Sequence, residues 1–460
     1  MSALSSAPAP GRARLRDALH RAVWRWHFYA GLLCLPFLVL LAATGSVYLF
    51  KDEINRTLFA YRTVVPVRAT PPLSPERLVF IAADAVPDAQ PTTYASPDAP
   101  DRTAIVTMAG PSGKTLVYLD PYDGAVLDRV GRTEEAMMVV RRLHSLATFG
   151  PVANGLIEVV AGFTLILVLS GIYLWWPRRQ GGGQGGGVVS LRGTPARRVW
   201  WRDLHAVTGF LAGAGLFFLA ATGLPWSILW GDQFRAVSNR AGLGQPNELW
   251  AGVPVSTVPM GAVLDQTGWA LEAAPLPRSR GRDGVPIGID RAAEILAGLG
   301  MPAGYELALP EGPTGVYAAA AYPRDVTRQR MISLDQYTGR PLVNVRFGDI
   351  GVVGRGIQYG IGLHKGEVAG RVNQLLMLAF CLATILLAVT AAVMWWKRRP
   401  RGRLGVPAWP DDRRAVGAVT GLVVAMGIVF PLTGLAILAM IALDAAWLGL
   451  RRGLRRPATA

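Results

Sequence analysis

Four long stretches with almost no charge limit what this chain can fold into more than any other feature of its sequence. They lie at about 28–50, 155–176, 205–230 and 371–396. At about 1.5 Å of rise per residue, each can cross a hydrocarbon core of about 30 Å as a helix. With 51% hydrophobic and 17% charged residues among 460, the chain is too apolar for an ordinary soluble protein. The sequence therefore predicts a polytopic α-helical membrane protein.

Basic residues beside these stretches predict their orientation. The net charge of +16 could suggest a nucleic-acid partner, but Lys and Arg concentrate next to the apolar runs, where they orient a membrane protein. We therefore expect a lipid bilayer as partner and no nucleic acid. Arginines precede the first stretch, and basic clusters follow the second and fourth, at Arg178-Arg179 and 397–399. This pattern predicts a multi-pass protein of the bacterial inner membrane with a cytoplasmic amino terminus and an uncleaved first helix.

Hydropathy and charge together divide the chain into membrane, cytoplasmic and periplasmic segments. Membrane helices are expected at 27–50, 144–176, 204–231 and 364–396, with a C-terminal hairpin of two helices at 415–450. Cytoplasmic segments are expected at 1–26, 177–203 (with a Gly-rich linker), 397–414 and 451–460. Two polar segments, 51–143 and 232–363, are expected in the periplasm. The hairpin prediction depends on a break at Pro431, and one long kinked helix is the alternative.

Each polar segment contains short β-like runs among many Pro, Gly and Asp residues. Each also contains an aspartate-aromatic-glycine motif after an apolar run, Leu119–Gly124 (LDPYDG) in the first and Leu334–Gly339 (LDQYTG) in the second. Such a motif commonly forms the turn between two antiparallel strands. The repeated motif therefore predicts a related strand pair in each segment.

Histidines recur at equal spacings in the two halves of the chain. His27 and His205 each precede a Thr-Gly pair by 17 residues, and His144 and His364 each precede a Trp-Trp pair by 31 residues. A parallel duplication places equivalent residues at equivalent membrane depths. By the expected topology, His27 and His205 form a cytoplasmic-side pair, and His144 and His364 form a periplasmic-side pair.

Two facing histidines can supply both axial ligands of a haem iron, since the porphyrin fills the four in-plane positions. The pattern therefore predicts two haem groups, one for each pair. A zinc site is the alternative, but zinc usually takes three or four protein ligands, and no Cys, Asp or Glu accompanies these pairs.

Cys34 and Cys381 lie inside apolar runs and are expected to be small buried residues. A single interfacial histidine is more often an anchor than a ligand; the repetition favours ligation.

Basic residues close to the four histidines are candidate partners of haem propionates through charge-assisted hydrogen bonds. The strongest candidates are Arg25, Arg142, Lys365 and Arg371. Contact with lipid headgroups or a role as simple positive flanks is an equally good interpretation of each. His20 has an arginine at the equivalent position of the second half and is expected to be a solvated interfacial residue.

At these motifs the chain resembles the PepSY-associated transmembrane family, which includes iron-regulated inner-membrane proteins and siderophore ferric reductases. The motifs are Arg25–Gly31 (RWHFYAG) leading to Thr44-Gly45, Leu143-His144, Gly171–Arg179 (GIYLWWPRR), Asp203-Leu204-His205 leading to Thr222-Gly223, and Leu363-His364. The resemblance implies that the polar segments are two periplasmic PepSY-like α+β modules. It also implies two b-type haems, with His27, His144, His205 and His364 as the iron ligands.

Three functions are compatible with the sequence. The leading hypothesis is a haem-dependent ferric-siderophore reductase that passes electrons from the cytoplasmic or membrane side to ferric siderophore in the periplasm and releases Fe(II). The chain has no fingerprint for FAD or nicotinamide, so a separate donor, a reductase or a quinol, is expected. The second is a non-redox PepSY protein that binds or regulates a periplasmic peptidase or assists a transporter. The third is haem-based reduction of another periplasmic acceptor.

Overall fold

The structure is a computed structural model that describes residues 10–176, 189–280, 284–401, 404–407 and 412–453. The predicted Gly-rich linker, residues 181–187, lies outside these residues, as do Arg178-Arg179 and the tail after 453. The chain divides into two compact units. The helical unit comprises 1–46, 143–232 and 378–460, and the sheet unit comprises 47–142 and 233–377.

Groups of helices and groups of strands follow one another along the chain. The helices are α1 (Pro10–Tyr48), α2 (Lys51–Thr57), α3 (Ala60–Thr63), α4 (Pro75–Ala85), α5 (Ala136–His144), α6 (Pro151–Trp175), α7 (Arg198–Gly223), α8 (Trp230–Arg240), α9 (Met260–Val263), α10 (Gly268–Leu271), α11 (Ile289–Gly298), α12 (Val352–His364), α13 (Gly370–Arg398), α14 (Arg413–Val429) and α15 (Pro431–Gly453). The strands are β1 (Gln90–Ala95), β2 (Ala104–Gly110), β3 (Gly113–Leu119), β4 (Val126–Gly131), β5 (Val255–Pro259), β6 (Pro275–Pro277), β7 (Glu306–Ala308), β8 (Val316–Ala321), β9 (Arg330–Asp335) and β10 (Pro341–Arg346).

Within the described ranges, four helical stretches are long and apolar enough to cross a membrane. They are Arg14–Tyr48, Pro151–Trp175, Arg198–Trp226 and Gly370–Arg398. These stretches correspond to the four apolar runs of the sequence. The first is longer than expected, because α1 begins at Pro10 and continues through the basic lead without a break. The helix therefore starts well before residue 27.

The apolar run near the carboxyl terminus forms two helices. Helix α14 ends at Val429, and α15 begins at Pro431, a first helical position where the missing N–H of proline costs no hydrogen bond. The two helices contact each other where Gly427 faces Gly434; a Cβ at position 427 would lie 3.0 Å from the Cα of Gly434. The structure thus has a pair of packed helices here and not one long kinked helix.

Part of the core of the helical unit joins helices that are far apart in sequence. Cys34 of α1, Phe163 of α6 and Ile437 of α15 are buried in one apolar cluster. Cys34 and Cys381 are both free and buried, as predicted from their position in apolar runs. The sequence after residue 398 therefore packs against the four-span part of the chain.

The sheet unit contains an eight-stranded antiparallel sheet with the order β10-β9-β8-β7-β1-β2-β3-β4. Each polar segment contributes four of these strands, and the pairing of β1 with β7 joins the two sets, with Tyr94 opposite Leu307. Helices α4 and α11 pack on the sheet through a single apolar core that includes Leu78 and Leu296. The α+β character expected from the family resemblance is therefore present, but the two expected modules share one sheet and one core.

The two aspartate-aromatic-glycine motifs form matching turns, as predicted. Asp120 accepts a hydrogen bond from the backbone N–H of Tyr122 at 2.8 Å, between β3 and β4. Asp335 accepts one from Tyr337 at 3.0 Å, between β9 and β10. The glycine that ends each turn has a positive φ, 76° in the first and 68° in the second, which explains why glycine stands there.

Candidate functional site

The first candidate ligand, His27, lies on α1 and is held by a hydroxyl group of α6. Its Nδ1 is 2.8 Å from Oγ of Ser170. A Cβ at the next residue of α6, Gly171, would lie 3.4 Å from Cε1 of His27, so the imidazole packs on this part of the helix. Ser170 and Gly171 therefore form one contact surface for the ring.

His205 of α7 has an equivalent arrangement with α13. Its Nδ1 is 2.9 Å from Oγ1 of Thr390 and 3.2 Å from the carbonyl oxygen of Leu387. Ser170 and Thr390 both stand five residues before a Trp-Trp pair, so they are equivalent positions of the repeat. The sequence analysis missed these two residues, although the spacing that identified the histidines also identifies their partners.

The structure brings His27 and His205 close together. The two imidazoles are near enough to interact electrostatically, although they are separated by most of the first half of the chain. The two histidines predicted to form one pair therefore lie within electrostatic range of each other in the helical unit.

His144, at the end of α5, is also held by a hydroxyl group. Its Nδ1 is 2.9 Å from Oγ1 of Thr44. A Cβ at Gly45 would lie 3.5 Å from Cε1 of His144, so the Thr-Gly pair supplies a hydrogen-bond partner and a packing contact for the ring. His364 is partly buried at the end of α12 and belongs to the sheet unit, whereas His144 belongs to the helical unit. Pairing of His144 with His364 stays a prediction.

Comparison with known families decides the classification of the chain. The family model described as the PepSY-associated TM region matches residues 24–398. The chain belongs to the PepSY-associated transmembrane family. The match includes all four candidate histidines and ends with α13, so α14 and α15 lie beyond it. A search of curated proteins found no match.

In this member of the family, the hydroxyl groups beside His27 and His205 favour the tautomer with the proton on Nδ1. Ser170 donates its own proton to the carbonyl of Ile166 at 2.6 Å, and Thr390 donates to the preceding turn of α13 at 2.9 Å. Each hydroxyl oxygen is then left to accept a hydrogen bond from Nδ1–H. The lone pair of the imidazole therefore resides on Nε2, which is the form that binds a metal ion.

The Nε2 atoms of His27 and His205 suit an axial ligand pair. Within the parts of the chain that the structure describes, no hydrogen bond engages either Nε2. A six-coordinate haem iron can take two such nitrogens as its axial ligands. The same parts of the chain contain no group of three or more His, Cys, Asp or Glu side chains that could hold a metal ion. Binding of haem by His27 and His205 stays a prediction.

The candidate propionate partners already have partners in the protein. Arg25 is buried and donates to the carbonyl of Pro407 at 2.5 Å. In the sheet unit, Lys365 pairs with Glu367 at 2.9 Å and Arg371 pairs with Glu53 at 2.5 Å. Arg142 is partly buried and also takes part in an interaction. A role of any of these residues toward haem stays a prediction.

His20 differs from its expected environment. It is partly buried, and its ring centroid lies 6.5 Å from that of Tyr173 on α6. The long α1 helix explains the difference, because it extends the packed part of the chain to include a residue that the sequence analysis placed in solvent.

Proposed function

We propose that this chain is a di-haem electron-transfer protein of the bacterial inner membrane, with a cytoplasmic amino terminus. It passes electrons from the cytoplasmic or membrane side to a ferric siderophore in the periplasm and releases Fe(II) for uptake. The observation that carries the proposal is the arrangement of His27 and His205, two neighbouring imidazoles whose Nδ1 atoms are each bound by a hydroxyl group.

The residues of the chain have distinct tasks in this proposal. His27 and His205 would hold the cytoplasmic-side haem through Nε2, and His144 and His364 would hold the periplasmic-side haem. Ser170, Thr390 and Thr44 orient their histidines and keep the proton on Nδ1. When bound, each haem supplies an iron that can accept and release one electron. The apolar spans exclude water from the space around the ligands.

Ferric siderophore is a chemically reasonable acceptor for such a protein. Siderophores bind Fe(III) through hard oxygen ligands, and Fe(II) is held far less tightly by the same ligands. Addition of one electron therefore converts a very stable complex into one that releases its iron. The separate electron donor would be a reductase or a quinol.

Absorption spectroscopy of the purified protein tests the haem sites. We expect a Soret band with low-spin features and about two haems per chain. A His27→Ala, His205→Ala double variant should retain about one haem, whereas His20→Ala should retain both. Full haem content in the double variant would contradict the pair, and a colourless protein that binds no added haem would favour a non-redox function.

Reoxidation kinetics test the acceptor. The chemically reduced protein should be reoxidised by ferric siderophores faster than by copper complexes or oxidised periplasmic proteins at equal concentration. Equal or faster reoxidation by one of the other oxidants would support haem-based reduction of a different acceptor.

A further inference from the structure

A carboxyl group lies inside one of the apolar spans. Glu158 belongs to α6, within the span Pro151–Trp175, and only 1% of its surface is exposed. Its Oε2 accepts hydrogen bonds from the backbone N–H groups of Leu229 and Trp230, at 3.0 and 3.1 Å. Ionisable groups inside membrane spans are costly and usually serve a function. Neither the repeat nor the proposed haem sites use this residue.

The second oxygen of this carboxyl group has no partner in the described part of the chain. Oε1 of Glu158 is buried without a hydrogen bond, and so is Oγ1 of Thr433 in the first turn of α15. Thr433 packs on α6 one turn from Glu158, because a Cβ added at Gly162 would clash with Oγ1 of Thr433. A Cβ added at Gly155 would lie 3.8 Å from Leu432 of α15. Both orphaned polar atoms therefore belong to side chains at the packing of α6 against α15.

A hydroxyl group can pair with a carboxyl group in either protonation state of the carboxyl group. An ionised Glu158 would accept the hydroxyl proton of Thr433, and a protonated Glu158 would donate to the same hydroxyl oxygen. The bonds from Leu229 and Trp230 to Oε2 remain in both cases.

The titratable side chains of the described elements around this site are Asp232, in the first turn of α8, and Cys34, in the apolar cluster around Val159 and Phe163. Residues 431–443 of α15 and residues 212–228 at the end of α7 contain no titratable side chain.

We propose that Glu158, with Thr433, is an intramembrane proton-binding site that takes up a proton when an electron enters the protein. The link to the electron rests on the proposed function. Reduction of one Fe(III) to Fe(II) adds one negative charge, and one proton from the aqueous phase converts the Glu158 carboxylate to the acid, so the total charge is restored. The C-terminal helices, which lie beyond the family match, complete this site by supplying Thr433.

Glu158→Gln removes the group that can bind a proton but keeps the hydrogen bonds of the side chain. The carbonyl oxygen of the new side chain can accept from Leu229 and Trp230, and its amide can donate to Thr433, so the variant should fold as a mimic of the protonated state. Thr433→Val removes only the hydroxyl group that is proposed to pair with Glu158. Glu248→Gln, at an exposed position of the sheet unit, is the matched control.

Infrared difference spectroscopy of the full-length protein measures the protonated carboxyl group directly. In spectra recorded between low and high pH, we expect a carboxyl C=O band that exchanges slowly in D2O, disappears in Glu158→Gln, shifts in Thr433→Val and persists in Glu248→Gln. The same band should appear when the haem-loaded protein is reduced. An undiminished band in Glu158→Gln, or no such band in the natural sequence, would overturn the proton site.

The two proposals can fail separately. If the protein binds no haem, the proposed function and the link to the electron are lost, but the pH-induced spectra still decide whether Glu158 binds a proton. If haem binds and the pH-induced band is present, but reduction leaves the band unchanged, the electron link is wrong while the haem sites stand.

Discussion

Oγ1 of Thr390 lies 2.9 Å from Nδ1 of His205, and its proton is donated to the backbone of its own helix. The hydroxyl group can therefore only accept from the imidazole, and the lone pair is directed to Nε2. The same relationship joins Ser170 to His27, at the equivalent position of the repeat. A hydroxyl group on a neighbouring helix thus favours the tautomer of the candidate ligand that has its lone pair on Nε2. Haem binding should therefore depend on this hydroxyl group.

Loss of the hydroxyl partners should weaken haem binding. In Ser170→Ala and Thr390→Val, we expect haem affinity to fall by about 10- to 100-fold, as is typical for the loss of a hydrogen-bond partner of a metal-binding histidine. Haem titration of the protein followed by the Soret band measures the change. Ser170→Thr and Thr390→Ser should retain the affinity of the natural sequence.

Thr164→Ala is the matched control for Ser170→Ala. Thr164 is buried on the same helix and also donates to the preceding turn, at 2.7 Å to the carbonyl of Val160, and this hydrogen bond involves no histidine. Equal loss of haem affinity in Thr164→Ala and Ser170→Ala would show that the effect is a general one on α6.

Two glycines of α7 should respond differently to substitution by alanine. A Cβ at Gly215 would clash with the ring of Phe380 on α13, whereas a Cβ at Gly209 would make an ordinary contact, 3.6 Å from Leu387. We expect Gly215→Ala to lower the stability by about 1–3 kcal/mol through overpacking. Gly209→Ala should be neutral or slightly stabilising, because alanine is the better helix former. Thermal unfolding in detergent compares the two, and equal midpoints would contradict the close packing of α7 on α13.

Arg62 is a buried cation that should contribute strongly to the stability of the sheet unit. Its guanidinium lies 3.1 Å from Asp128 and 3.7 Å from Glu135, and 5.1 Å above the ring of Tyr118. Arg62→Ala leaves two carboxylates without their partner, and we expect a loss of about 3–5 kcal/mol in the free energy of unfolding.

The exposed pair of Arg291 with Glu294, at 2.7 Å, is the control for Arg62. Arg291→Ala should cost less than about 1 kcal/mol, because both side chains are largely in water. Chemical denaturation measures both variants. Similar losses would mean that burial does not strengthen the contribution of Arg62.

Glu306 should make the stability of the sheet unit depend on pH. Burial raises the pKa of Glu306 to about 7 from an ordinary value of 4.5, although Arg132 opposes the shift. Between about pH 4.5 and 7 the folded protein therefore binds more protons at this group than the unfolded chain. The contribution of Glu306 to the free energy of unfolding is complete below about pH 4.5 and is lost as the pH rises through 7. The size of this contribution is on the order of 1–3 kcal/mol.

Glu306→Gln tests this pH dependence. The variant keeps a hydrogen-bond acceptor for the backbone N–H of Asp265, which Glu306 binds at 2.8 Å, but cannot ionise. Relative to the natural sequence, it should gain stability as the pH rises from 5 to 8. A constant difference in unfolding midpoint over this range would show that Glu306 does not titrate there.

Parts of the fold could be predicted from the sequence because they depend on local properties. The four spans follow from runs of apolar residues that exceed the thickness of a bilayer, and each run forms a long helix. The two turns follow from an aspartate and a glycine at fixed spacing, since these residues determine the backbone locally. Burial of Cys34 and Cys381 follows from their apolar neighbours.

Other features depend on residues that are distant in the sequence. The pairing of β1 with β7 joins strands from the two polar segments, and no local pattern specifies that register. The partners of His27 and His205 come from helices more than a hundred residues away. Glu158 was overlooked, because a single acid in an apolar run gives no sign of the backbone groups that bind it.

The sequence alone therefore determined that this is a membrane protein with duplicated histidines, since hydropathy and spacing are properties of the chain itself. Only the tertiary structure decided that Ser170 and Thr390 hold the protons of His27 and His205 in place. It also decided that the two polar segments share one sheet. The physical reason is that a hydrogen bond between helices, or between strands of different segments, depends on how the elements pack, and packing is a property of the whole fold.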